Sequence, residues 1–227
     1  DVYKRQDIPH YPKSTVEGHD GELVTGYFQD QEIIVGKGRF HFYEGYSFQE
    51  VVIPIHLFHE LGVKNIIITN SSGSMNINFV PGSFMVVKSH MDCTYRYDSK
   101  DPKLFSGDPY HCPQMIDLAL KAGKKLSLDL NVGTYCWTLG PSYETPAEIL
   151  DMQRMGGDAV GMSTVPEIIS AGELGMNILT LSCLTNFAAG ISSTALSHEE
   201  VIKSAEMNSE NFIELIKEIL SELPKLN

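Results

Sequence analysis

KNIIITNSSGSMN, residues 64 to 76, decides how this chain folds. Ile66, Ile67 and Ile68 form a continuous β-branched run, the pattern of a strand covered on both faces rather than one. The small residues that follow, Ser71-Ser72-Gly73-Ser74, read as a loop leaving the strand end. Strands of the same kind recur at FMVVK (84 to 88), LSLDLNVGTYCW (126 to 137), DAVGM (158 to 162) and NILTLSCLT (177 to 185). Between them lie helix signals. Ser47-Phe48-Gln49-Glu50 is a capping box opening a helix towards Leu61, with Pro54 predicting a kink or a shortened first turn. Thr145-Pro146-Ala147-Glu148 caps another helix, STVPE starts a third, and Ser197-His198-Glu199-Glu200 opens a C-terminal one ending near Leu220. GYFQDQEIIVGKG reads as a hairpin turning at Gln29 and Asp30, and residues 91 to 112 as a long polar loop. Strands alternating with helices define an α/β domain with a mixed, twisted, partly parallel sheet. One domain over residues 7 to 227 accounts for the pattern, with residues 1 to 6 as a tail or foreign residues.

Composition narrows the function. The chain has 227 residues and a formal net charge of −12, which opposes any broad contact with nucleic acid. The same charge makes each local cluster of Arg and His informative. No apolar run approaches the ~20 residues of a membrane span, and the start has no signal-peptide pattern, so a cytoplasmic protein is expected. The four cysteines form no C-x-x-C pair, and neither a metal site nor a redox motif is indicated. Free thiols are the expectation in a chain with a core this large.

The chemistry-bearing residues lie at element ends. In GRFHFYEGYS (38 to 47), Arg39, His41 and Tyr43 alternate with Phe40 and Phe42. On an extended segment the polar trio shares one face and the two Phe anchor the other. That face is either an ordinary solvated strand side or a grip on an anion and a hydroxylated ligand. Ser163 stands where a strand becomes a helix, as an N-cap or an anion ligand. Glu144, in the turn GPSYETPAE beside Tyr143, is either solvated or a bidentate acceptor for a heterocycle edge. Asn186 follows a buried-looking strand and has the donor and acceptor a purine ring needs. His198 reads as a cap-region residue.

GRFHFYEG, TNSSGSMN, GPSYETPAE, VGMSTVPE, LTNFAAG and LSHEEV, in this order from about His19 to the C-terminal helix, resemble the trimeric purine nucleoside phosphorylases. The resemblance implies a mixed sheet curled into a distorted barrel flanked by helices. It implies that phosphate cleaves a purine nucleoside, preferably a 6-oxopurine such as inosine or guanosine, to free base and ribose 1-phosphate. His19, Arg39, His41, Ser163 and the backbone at Ser71 would then hold phosphate. Tyr43, Met162 and His198 would line the ribose, and Tyr143, Glu144 and Asn186 the base, with Asn186, Glu144 and His41 catalytic. Phosphate is a co-substrate, and no cofactor or metal is implied. Sites near subunit contacts in a homotrimer would borrow an aromatic residue from a neighbour, for which Phe105 is the candidate. Related methylthioadenosine phosphorylases typically carry Asp where Asn186 stands, so an adenosine or methylthioadenosine phosphorylase is the alternative. The family's chain begins with a strand and a Gly-Ser-Gly loop, and nothing of that kind precedes IPHYPKSTVEGHDG. An N-terminally truncated domain, or a non-catalytic nucleoside-binding relic, is the expectation from that departure.

Overall fold

The computed structural model describes residues 1–4, 8, 11–16, 21–96, 102–192 and 208–223. A short strand β1 (Val2–Tyr3) joins the hairpin of β2 (Glu22–Phe28) and β3 (Gln31–Lys37). The hairpin turns at Gln29, whose φ of 54° is left-handed, as the polar Gln29-Asp30 pair indicates. The rest is one barrel. Strands β4 (Asn65–Ser74), β5 (Phe84–Asp92), β7 (Leu130–Trp137), β8 (Ala159–Gly161) and β9 (Asn177–Phe187) close in the order β5-β7-β8-β4-β9 and back to β5. Strand β6 (Leu104–Ser106) hangs on the edge of β5. The β4–β9, β5–β7 and β7–β8 pairs are parallel, and β4–β8 and β5–β9 antiparallel. Closure removes the free edges a sheet of this size would otherwise expose.

Helices coat the barrel: α1 (Phe48–Val51), α2 (Ile53–Glu60), α3 (Pro113–Lys125), α4 (Pro146–Arg154), α5 (Val165–Glu173) and α6 (Ser209–Glu222). Pro54, in the first turn of α2, divides the expected single helix at Val52 into two. On one side Met115, Leu118, Ala119 and Ala122 of α3 meet Leu179 and Leu181 of β9 and Leu215 and Ile219 of α6. On the other, Ile55 and Ile168 meet Ile66, Ile68 and Ile178. The start expected for the last helix, around His198, lies outside the described residues.

Three sequence expectations change. Ser71–Ser74 are not a loop, because β4 runs through them, paired with β9 along its length. The segment read as a long loop begins inside β5 and contains β6. GRFHFYEGYS is not a strand. Residues 38 to 41 are irregular and Phe42–Glu44 form one 3-10 turn. The carboxylate of Glu44 causes the turn: its Oε1 accepts the His41 backbone N–H at 2.8 Å and lies 3.1 Å from His41 Nδ1. Gly45, with φ of 91°, ends it.

Beneath β6, His90 and His111 are fully buried, His90 Nδ1 lying 2.9 Å from His111 Nε2. Phe105 stacks on His90 at 5.3 Å and Tyr110 meets it edge-on. Burial lowers the His90 pKa to about 3, helped by the neighbouring His111, and lowers that of His111 to about 4, again mainly by burial. Both rings are neutral in the fold, whereas in the unfolded chain they take up protons near the ordinary value of about 6.5. The unfolded state therefore binds more protons as pH falls below that value, and stability falls with it. Unfolding free energies from urea titrations at pH 7.5 and pH 5 should differ by up to about 1.4 kcal/mol per histidine per pH unit below 6.5. Replacing both histidines should flatten that dependence.

Candidate active site

The site is built where β8 gives way to α5. Thr164, between them, has φ 79° and ψ −46°, and Val165 N–H donates to Ser163 O at 2.9 Å. This is a γ-turn, strained for a β-branched residue by about 1–3 kcal/mol. Asn70 of β4 holds it, its Nδ2 donating to Thr164 Oγ1 at 3.1 Å. The turn does not make Ser163 the helix cap, which is Thr164 and carries no side-chain cap bond. Instead the Ser163 hydroxyl receives Arg39, whose NH1 lies 3.3 Å away. Two segments 124 residues apart are thereby joined, and a guanidinium, a hydroxyl and a helix N-terminus share one spot. Beneath them the buried Tyr135 hydroxyl donates to Ser163 O at 3.2 Å, and desolvation raises its pKa to about 12.

Gly161 makes room for that tyrosine: a Cβ there would collide with the Tyr135 hydroxyl. Gly161→Ala should destabilise the fold by about 1–3 kcal/mol, through displacement of Tyr135 rather than loss of a contact. The midpoint of urea denaturation is the check.

Tyr43 is not on a strand with His41 but stacks on it, ring centroids 4.6 Å apart. Burial raises the Tyr43 pKa, and the charges of Glu44, Arg39 and Tyr143 also act on it. A Cβ on Gly140, whose φ is 69°, would meet both Met162 and Tyr43. Tyr43, Met162, Tyr143 and Arg39 therefore converge beside the Ser163 turn. Tyr143 is about half exposed.

The base-reading candidates are tied to β7 and β9, which β8 and β4 separate. Trp137 of β7 lies opposite Gly161 of β8, Val160 opposite Gly73 of β4, and Gly73 opposite Asn186 of β9. Next along β7, Thr138 N–H donates to Gly161 O at 2.9 Å and its hydroxyl donates to Glu144 Oε1 at 2.5 Å. Strands spaced about 4.8 Å apart put β7 and β9 about 14 Å apart along the arc, and less across the curled wall. A bulge sets Asn186: Thr185 is the extra residue between Ser72 and Gly73 of β4. The Thr185 hydroxyl donates to Asn186 Oδ1 at 2.9 Å, and Asn186 Nδ2 donates to Phe187 O at 2.9 Å. The amide's orientation is thus fixed from both sides. A Cβ on Gly73 would sit 3.2 Å from that Nδ2, so a larger residue there would press on the amide.

Ser71 is exposed on β4, next to Asn70. Phe105 stands apart from these groups, on β6 against His90 and about one-third exposed. His19 and His198 lie outside the described residues. A cavity of about 420 Å³ between Met75, Asn76, Gln153 and Asp158 contains none of the candidate residues, and its polar groups pair with one another. Among the described residues no cluster of three or more His, Cys, Asp or Glu could hold a metal, and no helix is long and apolar enough to cross a membrane. The supporting residues Asn70, Tyr135, Thr138, Thr164 and Thr185 escaped the sequence reading, and so did one charged group. Glu167, on α5, is buried and pairs with Arg39.

The family model of the phosphorylase superfamily matches residues 2–221 of this chain. Purine nucleoside phosphorylase 1 of Bacillus subtilis is 40% identical over 96% of this chain and 83% of its own. The Schistosoma mansoni purine nucleoside phosphorylase in complex with inosine superposes with a TM-score of 0.86 at 28% identity, over 97% of this chain and 83% of the other. Its isoform 2, in complex with cytosine and ribose-1-phosphate, gives 0.87 at 32% identity, over 99% and 84%. The chain belongs to the purine nucleoside phosphorylase family.

Proposed function

We propose that this protein cleaves 6-oxopurine nucleosides with inorganic phosphate, releasing the base and ribose 1-phosphate. The observation that carries the reading is the contact of Arg39 with Ser163 at the α5 N-terminus, with Tyr43 and Met162 beside it. Arg39, Ser163, His41 and the backbone at Ser71 hold the phosphate, with His19 completing the cradle. Tyr43, Met162 and His198 line the ribose. The bond from the ribose C1′ to the purine N9 breaks with its electron pair going to the purine, and a phosphate oxygen forms the new bond to C1′. Only contacts stronger in that charge-separated state than in the substrate accelerate the step. Asn186 has two N–H groups, of which one goes to Phe187 O. The other donates to N7 as the purine gathers charge. Glu144, anchored by Thr138, orients the ring edge, and Tyr143 flanks it.

Phosphate is the only co-substrate, and no cofactor takes part. The four cysteines are free thiols, which suits a cytoplasmic protein. A homotrimer is the assembly we infer, with the partly exposed Phe105 ring lent to a neighbour's site. The purified protein should release hypoxanthine from inosine, and guanine from guanosine, only when phosphate is added. Faster turnover of adenosine or methylthioadenosine in the same panel would move the assignment to the adenine-type phosphorylases. Nucleoside binding without any turnover would make it a binding protein.

A further inference from the structure

We propose that Glu167 is a positioning residue for the phosphate site, fixing one edge of the Arg39 guanidinium so that the other faces Ser163. The inference rests on the phosphate-binding role given to Arg39 above. Glu167 is the third residue of α5, a place where an acidic side chain ordinarily stays in solvent and offsets the helix dipole. Here it is 7% exposed and makes no cap bond. It turns instead to a residue 128 positions away: Arg39 Nε–H donates to Oε1 at 3.4 Å, while Oε2, at 3.3 Å, shares the charge but receives no hydrogen bond. On the same guanidinium, NH1 meets Ser163 Oγ at 3.3 Å.

Residues 163 and 167, on one helix start, thus hold two edges of one rigid planar group. A flexible arginine would lose side-chain freedom on gripping an anion, at about 0.5–1.5 kcal/mol. Glu167 removes that loss in advance. The arrangement is not explained by stability, because a buried ion pair with an unsatisfied oxygen is weakly stabilising at best. Oε2 has no hydrogen-bond partner among the described residues, so the carboxylate is kept at some cost.

The test is steady-state kinetics of inosine phosphorolysis on the full chain, varying phosphate and inosine separately, for wild type, Glu167→Ala, Glu167→Gln and Glu167→Asp. Glu167→Ala should raise KM for phosphate about tenfold, equivalent to about 1.4 kcal/mol, and leave KM for inosine within about twofold. Glu167→Gln, whose amide oxygen still accepts Nε–H, should recover most of the loss. Glu167→Asp, one methylene short, should recover less than Gln. Should Glu167→Ala fail to fold, the Gln and Asp variants decide alone. An unchanged phosphate KM in Glu167→Ala or Glu167→Asp, or a parallel rise in both KM values, overturns the inference while the phosphorolysis reading stands. A wild-type protein that releases base without consuming phosphate overturns that reading instead.

Discussion

Asn186→Asp is expected to lower kcat/KM for inosine by about 10²–10³, the usual loss when one preorganised donor to a developing negative charge is removed. The substitution keeps the side chain's size and its place on the β9 bulge, and it exchanges the amide donor for a carboxylate. The contacts that aim the amide tell against that exchange twice. Phe187 O now accepts from Nδ2 at 2.9 Å and would face a carboxylate oxygen. The purine nitrogen would meet a negative charge as it becomes negative itself. The loss should appear in kcat more than in KM for inosine, because the interaction strengthens only as the bond breaks. Adenine nucleosides, which in protonated form at N7 suit a carboxylate, should lose less. Initial rates on inosine and adenosine, each at saturating phosphate, measure both effects.

Arg39→Ala should raise KM for phosphate about 10–100-fold, as expected for losing a charge-assisted contact of about 1.5–3 kcal/mol. It should also lower stability by about 3–5 kcal/mol, because it leaves the buried Glu167 carboxylate without its cation. Both side chains are at least 85% out of solvent, so screening by water does not dilute the pair. Arg39→Lys separates the two effects. A lysine restores the charge beside Glu167, and with it much of the stability, but has no second edge for Ser163. Phosphate KM and urea midpoint, measured on the same two variants, should therefore diverge.

The barrel was legible because apolar strand segments alternate with caps and turns of recognisable chemistry. Ser47 and Thr145 cap their helices with Glu50 and Glu148 as expected. Helix α3 was not. Its buried stripe includes Ala119, Ala122 and Gly123 beside Met115 and Leu118, and Leu130 packs where a Gly123 side chain would go. Ser71–Ser74 resembled a loop because Ser and Gly favour turns, yet pairing with β9 holds them extended. The alternation of Arg39, His41 and Tyr43 suggested a strand, and a single carboxylate, Glu44, folds it into a turn instead. The residues alone left Arg39, Ser163 and Glu144 open between a structural and a ligand-binding reading, and only the resemblance to a family chose between them. Spacing along the chain could not show that Ser163 receives Arg39. Nothing local distinguished Glu167 from a solvated first-turn acid, because its burial and its partner are both consequences of the tertiary fold.

A crystal structure of the protein with phosphate and hypoxanthine tests the central claim most directly. The account predicts the anion within hydrogen-bond distance of Arg39 and Ser163, and the base held by Glu144 and Asn186. An anion bound away from Arg39, or a base that touches neither Glu144 nor Asn186, would contradict it.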